Sequence, residues 1–283
     1  MKTYYECIPC MLHSIIRLFK DGIIQKNKQE IILKKILKHL SSICLNKTPP
    51  KIAQEIHKII RKEINNKDPY KKIKHKYNKL CLDKYNFLNV KIKKSNNPLY
   101  EALKLAVIGN VIDFGPNHTF NLTKQINNFC DINFAIDDSK KLFRDIKNAK
   151  TILYLGDNAG EIIFDRFFLE YINHNNVFFA VRGKPVLNDV TREDAKFAKI
   201  DKIAKIIDTG IDIPGINLEE SSIEFKKYFN QADLIISKGQ GNYESLSDIN
   251  YKKIYFLLMA KCDLVANQLK VNKGEIVIEK NTK

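Results

Sequence analysis

Four short apolar runs in the second half of this 283-residue chain are each followed at once by polar, charged or glycine residues. Gly156-Asp157-Asn158-Ala159-Gly160-Glu161 follows the first, and Gly183-Lys184-Pro185-Val186-Leu187-Asn188-Asp189-Val190-Thr191 the second. Lys238-Gly239-Gln240-Gly241-Asn242-Tyr243-Glu244 follows the third, and Lys261 the fourth. Asp157, Asn158 and Asp189 offer hard oxygen donors, which suit Mg²⁺ or Mn²⁺ better than a thiolate-seeking ion. Lys238 and Lys261 are cations able to hold an anion, phosphate being the obvious case. Glycines beside Lys238 let backbone N–H groups approach a phosphate. The helix expected after Asp157 adds a positive dipole end. Each residue also has an ordinary reading: Asp157, Asn158 and Asp189 as helix N-caps, Lys238-Gly239 as a plain strand end. The coincidence at four strand ends favours a joint site.

These segments meet only if the runs are parallel strands. Residues 151–156, 176–183, 205–210, 233–239 and 253–260 hold short apolar runs, and helix-like segments at 160–173, 191–199, 221–231 and 243–249 separate them. That alternation predicts an α/β fold with a mostly parallel, Rossmann-like sheet and helices on both faces. In such sheets ligands bind beyond the carboxyl ends of the strands. No GxxxxGK[ST] loop, no GxGxxG after the first strand and no GxSxG elbow is present.

The first hundred residues have a helical period instead. Residues 9–20, 28–45, 52–64 and a lysine-rich stretch after Asp68-Pro69 carry apolar stripes. Pro98 opens a fifth, more apolar helix, expected to be buried where the two parts meet. At its end, Asn110 and Asp113 are candidates to reach the same cleft, with capping and turn formation as the plain alternative. The expected division is a basic helical domain over 1–100 and a catalytic α/β domain over 101–283, with the boundary between 100 and 135.

Net charge follows this division. The formal charge of +16 arises within residues 1–100, which hold 23 basic and 7 acidic side chains, while the remainder is balanced. The cations are mostly lysine, as on a solvated helical face, whereas base and phosphate readers favour arginine. No apolar run reaches the roughly 18–20 residues of a membrane span. The first twenty residues make a poor signal peptide, so a cytoplasmic location is expected. Cys7-Ile8-Pro9-Cys10 has a metal-like spacing, but no second pair completes four ligands. Packing, a second metal or redox chemistry stay open for it.

Longer motifs carry a resemblance. DNAGEIIFDRFFLE at 157–170, KPVLNDVTREDA at 184–195 and ISKGQGNYESL at 236–246 resemble the motifs of the damage-control phosphatase family. ECIPCMLH near the start and GNVIDFG at 109–115 are similar to its smaller archaeal and bacterial branch with an N-terminal Cys pair. The resemblance implies a helical part packed on an α/β part. It implies metal-dependent hydrolysis of small phosphorylated metabolites, such as sugar phosphates or damaged cofactor precursors, with Mn, Mg, Co or Ni as the divalent ion. Asp157, Asn158 and Asp189 would be the metal ligands. Asn188, the segment Gln240, Gly241, Asn242, Tyr243 and Glu244, and Lys261 would contact substrate. Asp157, Asp189 and Lys238 are the candidate catalytic residues. Nucleic-acid binding through the basic helices is the competing reading, disfavoured because no stacking platform or recognition helix is evident. A carboxyl methyltransferase using S-adenosylmethionine ranks lower, since no glycine-rich cofactor loop is present.

Overall fold

A computed structural model describes residues 1–110 and 129–281. Asp113 lies outside the described residues. Six helices come first: α1 (Cys7–Lys20), α2 (Lys26–Leu40), α3 (Pro49–Ile64), α4 (Lys71–Leu82), α5 (Tyr85–Lys93) and α6 (Pro98–Gly109). Pro49 and Pro50 form the first turn of α3, where the missing N–H groups cost nothing. Pro98 starts α6 in the same way, and the Asn97 side chain accepts from Tyr100 N–H at 3.2 Å.

Strands and helices then alternate: β1 (Ile136–Asp137), α7 (Ser139–Asn148), β2 (Ile152–Leu155), α8 (Glu161–Ile172), β3 (Val177–Val181), α9 (Arg192–Phe197), β4 (Lys205–Asp208), α10 (Ile223–Gln231), β5 (Leu234–Lys238), α11 (Gln240–Leu246), β6 (Ile254–Met259), α12 (Asp263–Leu269) and β7 (Ile276–Lys280). The strand order is β1-β7-β6-β5-β2-β3-β4. All neighbours are parallel except β6 and β7. Leu155 faces Ala180 of β3 on one side and Ser237 of β5 on the other. The chain runs outward from β2 to β4, then returns to place β5 on the opposite flank of β2. That reversal opens a crevice at the carboxyl ends of β2 and β5.

Three apolar clusters hold the chain together. Ile15, Ile32, Ile36, Ile52 and Ile60 join α1, α2 and α3. Cys81, Leu88, Ile92 and Leu105, from α4 to α6, pack instead with Phe164, Phe167 and Phe168 of α8 on one face of the sheet. Each fully buried phenylalanine contributes about 1.5–3 kcal/mol. Leu153, Leu155, Ile235 and Phe256 form the other face, under α10, α11 and α12. With helices on both faces, β2 is buried at every position, hence its unbroken apolar run. Residues Ala102 to Gly109 of α6 are all buried, because α6 lies against α8. Among the described residues no helix is long and apolar enough to cross a membrane.

Candidate active site

The residues after β2 and β3 are clasped together by their backbones. Val190 N–H donates to Asp157 O at 2.8 Å, and Ala159 N–H to Asn188 O at 2.9 Å, with Asn158 and Asp189 paired as an antiparallel bridge. This clasp brings Asp157, Asn158 and Asp189 together in the crevice. Neither aspartate caps a helix. The N-cap of α8 is Gly160, and that of α9 is Thr191, whose capping box is completed by Asp194.

Amide and guanidinium groups orient the carboxylates. Asp157 Oδ2 accepts from Asn110 Nδ2 at 2.8 Å and from Asn158 Nδ2 at 2.6 Å. The same two amides reach Glu161 Oε2, at 3.3 and 3.2 Å. Arg182 Nε donates to Asp189 Oδ2 at 2.6 Å, and its Nη2 donates to Asn242 Oδ1 at 3.0 Å. That Nη2 stands 3.8 Å from Asp157 Oδ1. Oδ1 of Asp157 and Oδ1 of Asp189 accept no hydrogen bond among the described residues.

The cluster holds more negative charge than its cations balance. Burial, then Glu161 and Asp189, push the Asp157 carboxyl up to about 8, against Arg182 and Lys261. Burial also raises Asp189, although the charge and hydrogen bond of Arg182 oppose it. Two buried carboxylates beside a carboxamide form a hard-oxygen donor set, and a divalent cation would offset their mutual repulsion. Among the described residues no three His, Cys, Asp or Glu side chains stand at metal-ligating spacing. The candidate donors are instead two carboxylates and an amide.

Lys238, expected from its strand-end position to face a phosphate, turns inward instead. It is fully buried, and its Nζ donates to Ala106 O at 2.7 Å, Glu161 Oε1 at 2.5 Å and Asp165 Oδ1 at 2.6 Å. An ammonium has three N–H groups, so all are engaged. Asp165 also accepts from Tyr154 OH at 2.6 Å. Burial lifts Asp165 to about 6 even with Lys238 beside it. Glu161, Asp165 and Arg182 were not among the expected site residues. Their signal is present nonetheless: two acids four apart among the apolar residues of the first half of a helix, and an arginine directly after a strand.

The segment 240–244 divides between crevice and core. Tyr243 faces the core, edge-on to Phe256 with ring centroids 5.0 Å apart, so it does not meet the expectation of a substrate contact. Asn242 is also buried, donating to Lys238 O at 2.7 Å as well as accepting from Arg182. Gly241 lies against Pro214, whose carbonyl an added Cβ would meet at 2.2 Å. Gln240 and Glu244 stay together: Gln240 Nε2 donates to Glu244 Oε1 at 2.7 Å, and Lys261 N–H donates to Gln240 Oε1 at 2.8 Å. Burial pushes Glu244 up to about 7, against the hydrogen bond from Gln240. Asn188 is half-buried on the clasp, and Asn110 reaches Asp157 from the end of α6.

Cys7 and Cys10 occupy the first turn of α1, and Cys10 is exposed. Burial raises both thiols, and the charges of Glu244 and Cys262 raise them further. A raised thiol is the opposite of an activated one.

The whole chain has known counterparts. The model of the damage-control phosphatase ARMT1-like domain matches residues 3–277. A damage-control phosphatase of Pyrococcus horikoshii is 38% identical over 290 residues, covering 99% of both chains. One of Archaeoglobus fulgidus is 30% identical, covering 98% of both. An uncharacterized Methanocaldococcus jannaschii protein is 41% identical, covering 99% of this chain and 96% of its own. The crystal structure of a Pyrococcus horikoshii protein of the DUF89 family superposes over 100% of both chains, with a TM-score of 0.91 at 37% identity. With motifs, fold and full-length similarity in agreement, this chain belongs to the damage-control phosphatase family.

Proposed function

We propose that this protein is a divalent-metal-dependent phosphatase acting on small phosphorylated metabolites, with sugar phosphates and damaged phospho-metabolites as the substrate class. One observation carries the reading: the backbone clasp joins Asp157, Asn158 and Asp189 at the crevice where the strand order reverses. Asp157, Asn158 and Asp189 would hold the ion, which when bound supplies Lewis-acid polarisation of the phosphoryl group. Asn110 and the Asn158 amide orient Asp157, and Arg182 fixes Asp189 and Asn242. Lys238 is a positioning residue, holding Glu161 beside those amides. Lys261, exposed at the rim, is the cation that meets the phosphate's charge, the one of the two candidate lysines left free to do so. Gln240 and Glu244 stand next to it and would contact the rest of the substrate, with Asn188 on the opposite wall.

The test is phosphate release from a panel of phosphorylated metabolites with Mg²⁺, Mn²⁺, Co²⁺ or Ni²⁺. Metal-dependent turnover is expected, and its loss in Asp157→Ala and Asp189→Ala proteins that retain native circular dichroism. Two folded variants that keep the wild-type rate would remove the reading.

A further inference from the structure

A cavity of about 380 Å³ opens between the end of α3 and the loop that follows β3. Arg61, Lys62, Lys67, Lys184, Pro185 and Asp212 line it. Asp212 already pairs with Arg61, stands 3.8 Å from Lys58 Nζ and accepts from Gln54 Nε2 at 2.6 Å. Burial raises its carboxyl, but the Gln54 hydrogen bond and the charges of Lys58 and Arg61 outweigh that and keep it below the usual range. The single acid of the lining is therefore ionised and fully engaged. Lys62, Lys67 and Lys184 are exposed, with no carboxylate at ion-pair distance among the described residues. Arg61 Nη1 is buried and without a hydrogen-bond partner among the described residues.

Helix preference explains part of this charge. Arg61 and Lys62 lie in the last turn of α3, where cations complement the dipole. Lys67 follows the helix, and Lys184 comes from the catalytic half of the chain, so helix preference explains neither. Like charges converging on one concavity between low-dielectric walls focus a positive potential. Lys184 is also five residues from Asp189, at most about 18 Å along the chain.

We propose that this cavity binds a phosphate group, through Lys62, Lys67 and Lys184 with Arg61 behind them. The phosphate has two possible sources: the distal group of the substrate, or a separate phosphorylated ligand. Only the first rests on the phosphatase reading. Two exposed, unpartnered lysines can be removed without disturbing the fold, so Lys62→Ala/Lys184→Ala is the informative variant. Inorganic pyrophosphate is titrated calorimetrically, without metal and at low salt, into wild type, this variant and Asp157→Ala. The dissociation constant is expected to rise at least about tenfold in the lysine variant, to recover in Lys62→Arg/Lys184→Arg, and to stay unchanged in Asp157→Ala. Equal affinity in wild type and lysine variant, or no binding to wild type, overturns the proposal whether or not the protein is a phosphatase. Kinetics separate the two sources. With a distal substrate phosphate, the lysine variant raises KM for a hexose bisphosphate about tenfold and leaves KM for the monophosphate and both kcat values unchanged. With a separate ligand, both KM values stay constant while pyrophosphate binding is still lost.

Discussion

Replacing Gly239 by alanine tests whether Asp157 is held where the contacts place it. Gly239 has φ 80° and ψ 160°, a conformation essentially confined to glycine and costing other residues about 1–3 kcal/mol. An added Cβ would stand 2.0 Å from Asp157 Oδ2 and 2.3 Å from its Cγ. The carboxylate has little room to yield, since Asn110 and Asn158 hold Oδ2 and the clasp holds its backbone. Overpacking of this kind adds roughly 1–3 kcal/mol, for a total of about 2–6 kcal/mol. Gly274→Ala is the control: it has φ 90° but nothing within 4 Å of a new Cβ, so only a backbone cost of about 1–2 kcal/mol applies. Urea unfolding of the metal-free proteins measures both. The decisive comparison repeats Gly239→Ala in an Asp157→Ala background, where the methyl group no longer meets a carboxylate. The two substitutions should then couple by about 1–3 kcal/mol. Displacing Asp157 should also lower metal-dependent turnover by roughly 100-fold. Equal costs of Gly239→Ala in the two backgrounds would refute the contact geometry, as would a cost no larger than that of Gly274→Ala.

Two further substitutions probe buried charge. Lys238→Met leaves Glu161 and Asp165 buried without their cation and should destabilise the protein by about 3–5 kcal/mol in urea unfolding; a loss below roughly 1 kcal/mol would contradict the three-bond arrangement of Nζ. His57 is buried, and burial with the nearby charge of Arg61 lowers it to about 3. Its folded value lies below the unfolded one, so its contribution to stability is complete above about pH 6.5 and is lost as pH falls toward 3. Between pH 6.5 and 4.5 that amounts to about 2.3 kcal/mol, and His57→Leu should flatten the pH dependence of unfolding stability by that much. Parallel midpoint curves for the two proteins would show that His57 is not the group being titrated.

Four of the five parallel strands are legible because burial on both faces forces continuous apolar runs, as in Ile152–Leu155 and Ile254–Met259, while the edge strand β4 is marked by Ile206 and Ile207 alone. The missed elements lack that constraint. β1 has two residues, too few for any period, and β7 alternates into Glu279 and Lys280. In α7 only Leu142, Phe143 and Ile146 are apolar among lysines, and α12 has seven residues. α4 and α5 read as one helix because Asp83 and Lys84 between them carry no glycine or proline. The basic helices also divide less simply than charge implies: α4 and α5 share a core with the sheet, while α1, α2 and α3 keep their own. Charge is a surface property, whereas core membership depends on which apolar stripe meets which neighbour.

At the site, strand-end position is legible and side-chain direction is harder to read. Strand residues alternate between faces, so Lys238 shares the side of Leu234 and Ile236, which pack under α6 and α8, while Ile235 packs on the other face. Parity alone therefore points Lys238 toward the layer that contains α8. Glu161 and Asp165, four apart, lie on one side of that helix, and acids on a fully buried helical face need a cation. Each half of the ion-pair cluster is present locally in the residue pattern. Their meeting is not, because it depends on β5 pairing with β2 and α8 crossing the same face, contacts made by residues more than seventy positions apart. Arg182 is similar: an arginine after a strand signals little until the clasp brings Asp189 back to it. Donor residues are legible wherever a strand end exposes them. Their counter-charges are fixed by layer packing, which is why Lys238 looked like a phosphate ligand although its three hydrogen bonds make it part of the supporting layer.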